Sequence, residues 1–538
     1  MFLKRVKGGS KNNPIYYFQI AESYRSKDGK PKHKTICTVG RVDEVIRDGT
    51  LKRFVESITR HLDDVALLDL EKENIKDVRL LGAVLVIEKA FKDLGLDRKL
   101  TSIASERKIR FDLVKAVKLM LINRILAPSS KLSIMKWKER LYNCEDYEDV
   151  QAQHLYRSLD ILAEEAEVLK KHTYHGIRPL SLFKPQVSVV YYDLTTLYFE
   201  SEIADELKCF GYSKDNKADK VQVVLGVVLD EEGLPVTYEL YPGSTFEGKT
   251  VIGMVRKLRK EYEVERVIFV GDRGLVSKRV LEELERLGCG YVLGARIKKL
   301  PEVVKEEIIQ SSGWEELTQD LRVKEIRVGD RRLVVYKSQL LEKEERNRRQ
   351  KVLEWIKDQL MKNPKRLMVK RGYSKYIEVE GADIRLNGEA IEKEARLDGV
   401  FGFWCKGEEV GKENAYKVYK QLWRVEEAFR SMKSGLKIRP IYHWTPKRIK
   451  GHVAMCYLAF CVCRLLESRL KEAGVTLSLK EALEELNRVA AVGLETKKGL
   501  LDVRTEVKGV QYELFRALHT KIPSVVLKRP AGVRANQK

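Results

Sequence analysis

Apolar residues along the first third of the chain recur at helical spacing. Leu113, Val114, Val117, Met120, Leu121 and Ile125 fall three or four apart, and Pro128 closes the segment. Lys115, Lys118 and Arg124 lie among them, and Gln153 through Leu159 opens a further helix. This helical pattern runs from about residue 42 to 180. At residue 187 the period changes. Val187 to Asp193 is a β-branched and aromatic run bounded upstream by Pro185, and it predicts a strand. Val221 to Leu229 and Val236 to Leu240 predict two more, joined by the turn Asp230-Glu231-Glu232-Gly233. A helix over 247–262, a strand over Val267–Val270, a helix over 277–288 and a strand over Tyr291–Ala295 follow.

Three antiparallel strands followed by helix, strand, helix and strand predict an α/β sheet. Residues 300–400 differ. Short strand-like runs such as Leu333 to Tyr336 flank a charged helix, Leu340 to Lys362. Trp423 to Met432 reads as a helix, 447–470 as a longer apolar one, and the last 70 residues as helical to about Ala491 and mixed beyond. Upstream of all this, Tyr16–Ile20 and Thr35–Val39 read as two strands around the turn Lys27-Asp28-Gly29-Lys30.

Charge gives these elements a partner. The 538 residues carry 102 Lys+Arg against 79 Asp+Glu, a net charge of +23, and the first 36 alone carry net +7. Such a surplus calls for a polyanion, either nucleic acid or an anionic membrane. The run Val453–Cys463 is closed by Arg464 and is short of the roughly 20 residues a spanning helix needs. The first charged residues are followed by polar ones, so no signal peptide is expected. The eight Cys lack paired zinc spacing, and Cys456, Cys461 and Cys463 read as buried thiols in a reduced, cytoplasmic protein.

Two acids stand at predicted strand ends, Asp193 and Asp272, where side chains converge on ligands in open sheets. A third, Glu426, lies on the predicted helix from Trp423. Three carboxylates without His or Cys make a hard-oxygen site suited to Mg²⁺ or Mn²⁺. Singly, each acid also reads as a turn, cap or surface residue. Composition and periodicity alone therefore leave a basic α/β DNA-binding protein, with a metal-dependent nuclease as the open alternative.

The blocks around these acids resemble the DDE transposases of bacterial and archaeal insertion sequences. Tyr191-Tyr192-Asp193-Leu194-Thr195-Thr196 is similar to the family's first block, and Gly211 to Asp215 with Val221 to Gly226 to the segment after it. Val270-Gly271-Asp272-Arg273-Gly274 is similar to the second block. Tyr419 through Lys433, followed by Arg439-Pro440-Ile441-Tyr442-His443, is similar to the third. Leu422 stands where the family carries Arg, and Arg424 and Arg430 are the nearest replacements. The resemblance implies an RNase-H-like core split by a β-rich insertion between Asp272 and Glu426. It implies Asp193, Asp272 and Glu426 as catalytic ligands of two Mg²⁺ ions (Mn²⁺ substituting), end cleavage that frees a 3′-OH, and its transfer to target DNA. Tyr419, Arg424, Arg430, Lys433, Arg273 and Arg296 are the candidate DNA contacts. Tyr419 and Lys433 lie seven residues either side of Glu426, on one face of a continuous helix. Core packing competes for Tyr419, salt bridges for Arg273 and Arg296, and core packing against base stacking for Trp404.

The expected architecture is therefore an α/β, RNase-H-like mixed sheet in six regions. They are a basic β-hairpin module (1–50), a helical DNA-binding region (51–182), the first part of the core (183–300), a β-rich insertion with a charged helix (301–400), the second part of the core (401–470) and a helical C-terminal region (471–538). The expected partners are double-stranded DNA, both transposon ends and target, and a second copy in a homodimer that pairs the ends, with no membrane. A nuclease of the same fold without strand transfer and an inactive DNA-binding relative are the competing readings.

Overall fold

The computed structural model describes residues 1–10, 13–26, 28, 30–59, 74–178, 187–200, 203–211, 219–262, 264, 266–362, 374–380, 383–407, 410–496 and 499–528. Lys27, Gly29, Pro185 and the motif residues Tyr212 to Asp215 lie outside the described residues. The chain forms two compact units. One is Met1–Leu81 with Asn487–Lys508 and Ile522–Lys538; the other is Gly82–Leu486 with Gly509–Lys521.

The first unit begins with a three-stranded antiparallel sheet, β1 (Phe2–Ser10), β2 (Asn13–Arg25) and β3 (Pro31–Arg41), in that order. The expected hairpin is thus one strand short: β1, Phe-Leu-Lys-Arg-Val-Lys-Gly-Gly-Ser, is too charged and Gly-rich to show as a strand by composition. Its pairing with β2 supplies the order, and Arg5 stacks 3.9 Å over the Tyr16 ring. The unit's second sheet starts with β4 (Asn74–Leu80).

The second unit is built on a nine-stranded mixed sheet. Its strands are β5 (Val187–Tyr198), β6 (Gln222–Asp230), β7 (Pro235–Pro242), β8 (Arg266–Gly271), β9 (Gly290–Gly294), β10 (Glu315–Glu316), β11 (Leu321–Val328), β12 (Arg331–Ser338) and, after the small hairpin β13 (Ile377–Glu380) and β14 (Asp383–Leu386), β15 (Val400–Lys406). The order is β10-β11-β12-β15-β9-β8-β5-β6-β7. β5, β6 and β7 are antiparallel, whereas β8 and β9 run parallel to β5. The strands expected as a separate insertion, β10 to β12, instead extend this sheet through β15.

On one face of the sheet, Val190, Tyr192 and Leu194 of β5 meet the helices Glu247–Tyr262 and Lys278–Arg286 through Val251, Met254, Leu258, Val280, Leu281 and Leu284. The helix Trp423–Arg430 packs against β5 and β6. The apolar helix, Pro446–Glu472, is long enough to cross a bilayer, but it is buried among the helices Gly82–Asp93, Leu113–Leu126, Ala152–Glu164 and Ala166–Ile177. Gly451 makes one crossing possible, since a Cβ there would sit 2.0 Å from the Leu159 carbonyl. Cys456, Cys461 and Cys463 are free, buried thiols on this helix, as expected.

The first unit closes with β16 (Ala490–Thr496), β17 (Gly499–Arg504) and β18 (Val526–Lys528), in the order β18-β17-β16-β4. Arg79 of β4 reaches across β16 to the buried Asp502 of β17. Gly493 of β16 leaves the space, because a Cβ there would lie 2.6 Å from Asp77 Oδ1.

Candidate active site

Side chains alternate across a strand. Tyr192 and Leu194 point into the apolar core, so Asp193 between them points to the other face. β5 and β8 pair in parallel with Tyr192 opposite Gly271. The next residue on each strand is an acid, Asp193 on β5 and Asp272 just past β8. Parallel neighbours lie about 4.8 Å apart, so the register sets the two carboxylates side by side. Both are half-buried.

Asp272 has a defined partner. The Tyr419 hydroxyl donates to Asp272 Oδ1 at 3.0 Å. Burial and the Asp272 carboxylate hold the Tyr419 phenol above its ordinary range, so it remains a donor. Its ring packs on Phe403 of β15, with centroids 4.3 Å apart. Gly294 makes room for it: a Cβ there would lie 3.0 Å from the Tyr419 oxygen and 2.9 Å from the Arg273 amide.

A cleft of about 1190 Å³ opens from Asp272. Thr195, Glu247, Arg273, Arg296, Lys298 and Lys299 line it, together with Phe246 and Phe401. Arg273, Lys298 and Lys299 are exposed, and Arg296 Nε donates to the Arg273 carbonyl at 3.2 Å. Lys298 pairs with Glu394 at 3.0 Å. Sequence reasoning did not single out Lys298, Lys299 or Glu247. The basic run Arg296 to Lys299 was a usable signal, since it directly follows a predicted strand.

The third block departs from the expected continuous helix. One helix, Lys412–Lys420, ends just after Tyr419, and two residues separate it from another, Trp423–Arg430. A π-helical turn, Ser431–Gly435, then carries Lys433. Seven-residue spacing therefore does not align Tyr419, Glu426 and Lys433 on one face. Tyr419 reaches the site from a separate helix, and Lys433 sits half-buried in the turn. Val425, Ala428 and Phe429 bury one side of Trp423–Arg430, leaving Glu426 and Arg430 exposed. Arg424 points to the β6–β7 turn, where it donates to the Glu231 carbonyl. Burial pushes the neighbouring Tyr191 phenol up to about 12, with Arg424 pulling the other way. Among the described residues, no three acidic, His or Cys side chains gather closely enough to hold a metal ion. Glu426 is exposed on a helix that packs against β5, the strand of Asp193. Trp404 is half-buried between two apolar clusters, which is the core role.

Residues 185–462 match the family model of the transposase DDE domain. This stretch is more than half of the chain and includes all three blocks, so the chain belongs to the DDE transposases of insertion sequences. Residues 3–71 match the N-terminal domain of IS1634 family transposases. No curated protein matches the chain. Transposases of this family act on DNA and depend in general on divalent metal.

Proposed function

We propose that this transposase cuts the phosphodiester at the ends of its element and joins the freed 3′-OH to target DNA, using Asp193, Asp272 and Glu426 as ligands of two Mg²⁺ or Mn²⁺ ions. The observation that carries this reading is the register that sets Asp193 beside Asp272 on neighbouring strands, with Asp272 lining a cleft that has a basic wall. The strand order β7-β6-β5-β8-β9, three strands antiparallel and two parallel, supports an RNase-H-like core.

The donor set fits a hard cation, because both carboxylates offer only oxygen. Tyr419 engages one oxygen of Asp272 and leaves the other available for ligation. Glu426, on the helix packed against β5, would complete the set. Two such ions supply charge stabilisation to the attacking and leaving oxygens of the phosphodiester. The protein's own groups do the rest. Tyr419 fixes the Asp272 carboxylate, while Arg273, Arg296, Lys298 and Lys299 hold phosphates along the cleft. Arg430 and Lys433 contact the strand beside Glu426, and Arg424 anchors their helix. A homodimer pairs the two ends, and the work is done in the cytoplasm.

The test is to incubate the protein with its end DNA, target DNA and Mg²⁺. The parent joins ends to target, whereas Asp193→Ala, Asp272→Ala and Glu426→Ala do not. Any variant that joins at the parent rate removes that acid from the site. Cutting without joining by the parent makes the protein a nuclease.

A further inference from the structure

The segment after the third block displays two aromatic rings. Ile441 is buried, and His443 is half-buried against Tyr156 and His452, with ring centroids 6.2 and 5.4 Å away. The residues that alternate with them face outward: Tyr442 is 75% exposed and Trp444 63%. An exposed indole is ordinarily mobile, but this one rests on a built support. The Lys208 ammonium lies 5.7 Å from the Trp444 ring centroid and 5.8 Å from that of the buried Phe199. The Lys208 side chain is only 4% exposed and pairs with Asp205 at 3.2 Å. Asp205 Oδ1 in turn accepts from the Leu207 and Lys208 amides at 2.8 and 2.7 Å. A buried, charge-paired lysine therefore holds a large ring whose outer surface faces solvent.

The surroundings are cationic. The Arg439 guanidinium sits 5.1 Å over the Tyr198 ring, and Lys437 and Lys450 are exposed. Tyr198 ends the strand that carries Asp193, and Phe199 follows it. Six residues of strand span about 20 Å, or up to roughly six base steps of a B-form strand. Rings presented among cations suit the face of a nucleobase whose phosphates the cations hold.

We propose that Trp444, with Tyr442 beside it, is a stacking platform for an unpaired nucleobase of the DNA strand whose phosphodiester lies at Asp193 and Asp272. The proposal rests on the DNA-joining reading above. A base in this position is drawn out of the duplex close to the bond that is cut, and the rigid indole replaces its stacking partner.

The test uses the full-length protein and duplexes of its element's terminal repeat. 5-Iodouracil replaces one base at a time within about six base steps of the cleaved bond. Irradiation is expected to give a crosslink, from one position or two neighbouring ones, that maps to the peptide holding Tyr442 and Trp444. Trp444→Ala should lose that crosslink and weaken end joining about 5- to 150-fold, in line with the worth of one base–aromatic stack. Trp444→Phe should restore most of the activity, and an abasic site opposite the crosslinked base should narrow the gap between Trp444→Ala and parent. The proposal is overturned if no position crosslinks to this peptide, or if Trp444→Ala joins ends as the parent does. It is equally overturned if Trp444→Ala turns a DNA-free dimer into a monomer, which makes the rings a contact between copies. A parent that joins no DNA at all instead removes the joining reading.

Discussion

Removing the Tyr419 hydroxyl separates a positioning role from a phosphate contact. In Tyr419→Phe the ring keeps its packing on Phe403, and only the 3.0 Å bond to Asp272 is lost. A hydrogen bond to a charged group contributes about 1.5–3 kcal/mol, which corresponds to about 10- to 150-fold in rate. Asp272 is half-exposed, so water takes the vacated place and global stability changes little. The expected outcome is slower single-turnover joining, a higher Mg²⁺ requirement, and unchanged affinity and salt dependence for end DNA. Gly294→Ala should slow joining in Tyr419→Phe as well as in the parent, since its Cβ would stand 2.9 Å from the Arg273 amide besides 3.0 Å from the hydroxyl. Parent-like joining by Tyr419→Phe over the whole Mg²⁺ titration refutes the positioning role. Weaker DNA binding at unchanged Mg²⁺ dependence makes Tyr419 a phosphate contact.

Other substitutions read different parts of the same unit. Arg424→Ala should slow joining and leave the salt slope of end binding unchanged, because Arg424 ties its helix to the β6–β7 turn; a shallower slope would make it a DNA contact. Lys299→Ala should reduce the slope of log K against log salt by about 0.9, the value for one lost phosphate contact, in a binding titration from low to high salt. Gly451→Ala should lower the melting temperature, since its Cβ would stand 2.0 Å from the Leu159 carbonyl and overpacking costs about 1–3 kcal/mol. Burial holds the His443 imidazole down at about 4, helped by Lys131, Arg448 and Arg124, and burial keeps His452 well below its usual range. Unfolded histidine binds its proton near 6.5, so these two groups stabilise the fold fully above that pH and progressively less as pH falls towards 4. His443→Gln should roughly halve the slope of the urea midpoint over that window, leaving the His452 contribution.

The strands and helices around Asp193 and Asp272 were legible in the sequence because each is a short apolar run closed by a turn. Val267–Val270 became Arg266–Gly271, and the helix over 247–262 was found at those bounds. The pairing of the two acids was not legible, because it depends on which residue of β5 faces which residue of β8, a non-local register. The Tyr419–Asp272 bond joins residues 147 positions apart, and spacing within the third block pointed Tyr419 elsewhere. The same limit explains the exchange of tryptophans. Trp404 stood in an aromatic run and packs into the core, whereas the exposed Trp444 is supported by Lys208, which no local pattern brings to it.

The site divides its acids between two kinds of support. Asp193 and Asp272 hang from neighbouring strands of a nine-stranded sheet, where the ladder fixes backbone positions and a half-buried phenol fixes one carboxylate. Glu426 hangs from an eight-residue helix held by three buried apolar side chains, the Arg424–Glu231 carbonyl bond, an Arg464–Glu427 ion pair at 3.8 Å and a π-helical turn. A sheet register cannot shift by less than a residue, and a shift would turn every side chain to the other face. On the proposed reading, the two sheet-borne acids set where the phosphodiester lies, and a helix packed on β5 and β6 carries the third. The anchor of that helix, Arg424 on the β6–β7 turn, does not line the cleft, yet it ties down the element that carries Glu426. In a chain with Leu at position 422, the nearby Arg424 thus serves the placement of the proposed third ligand.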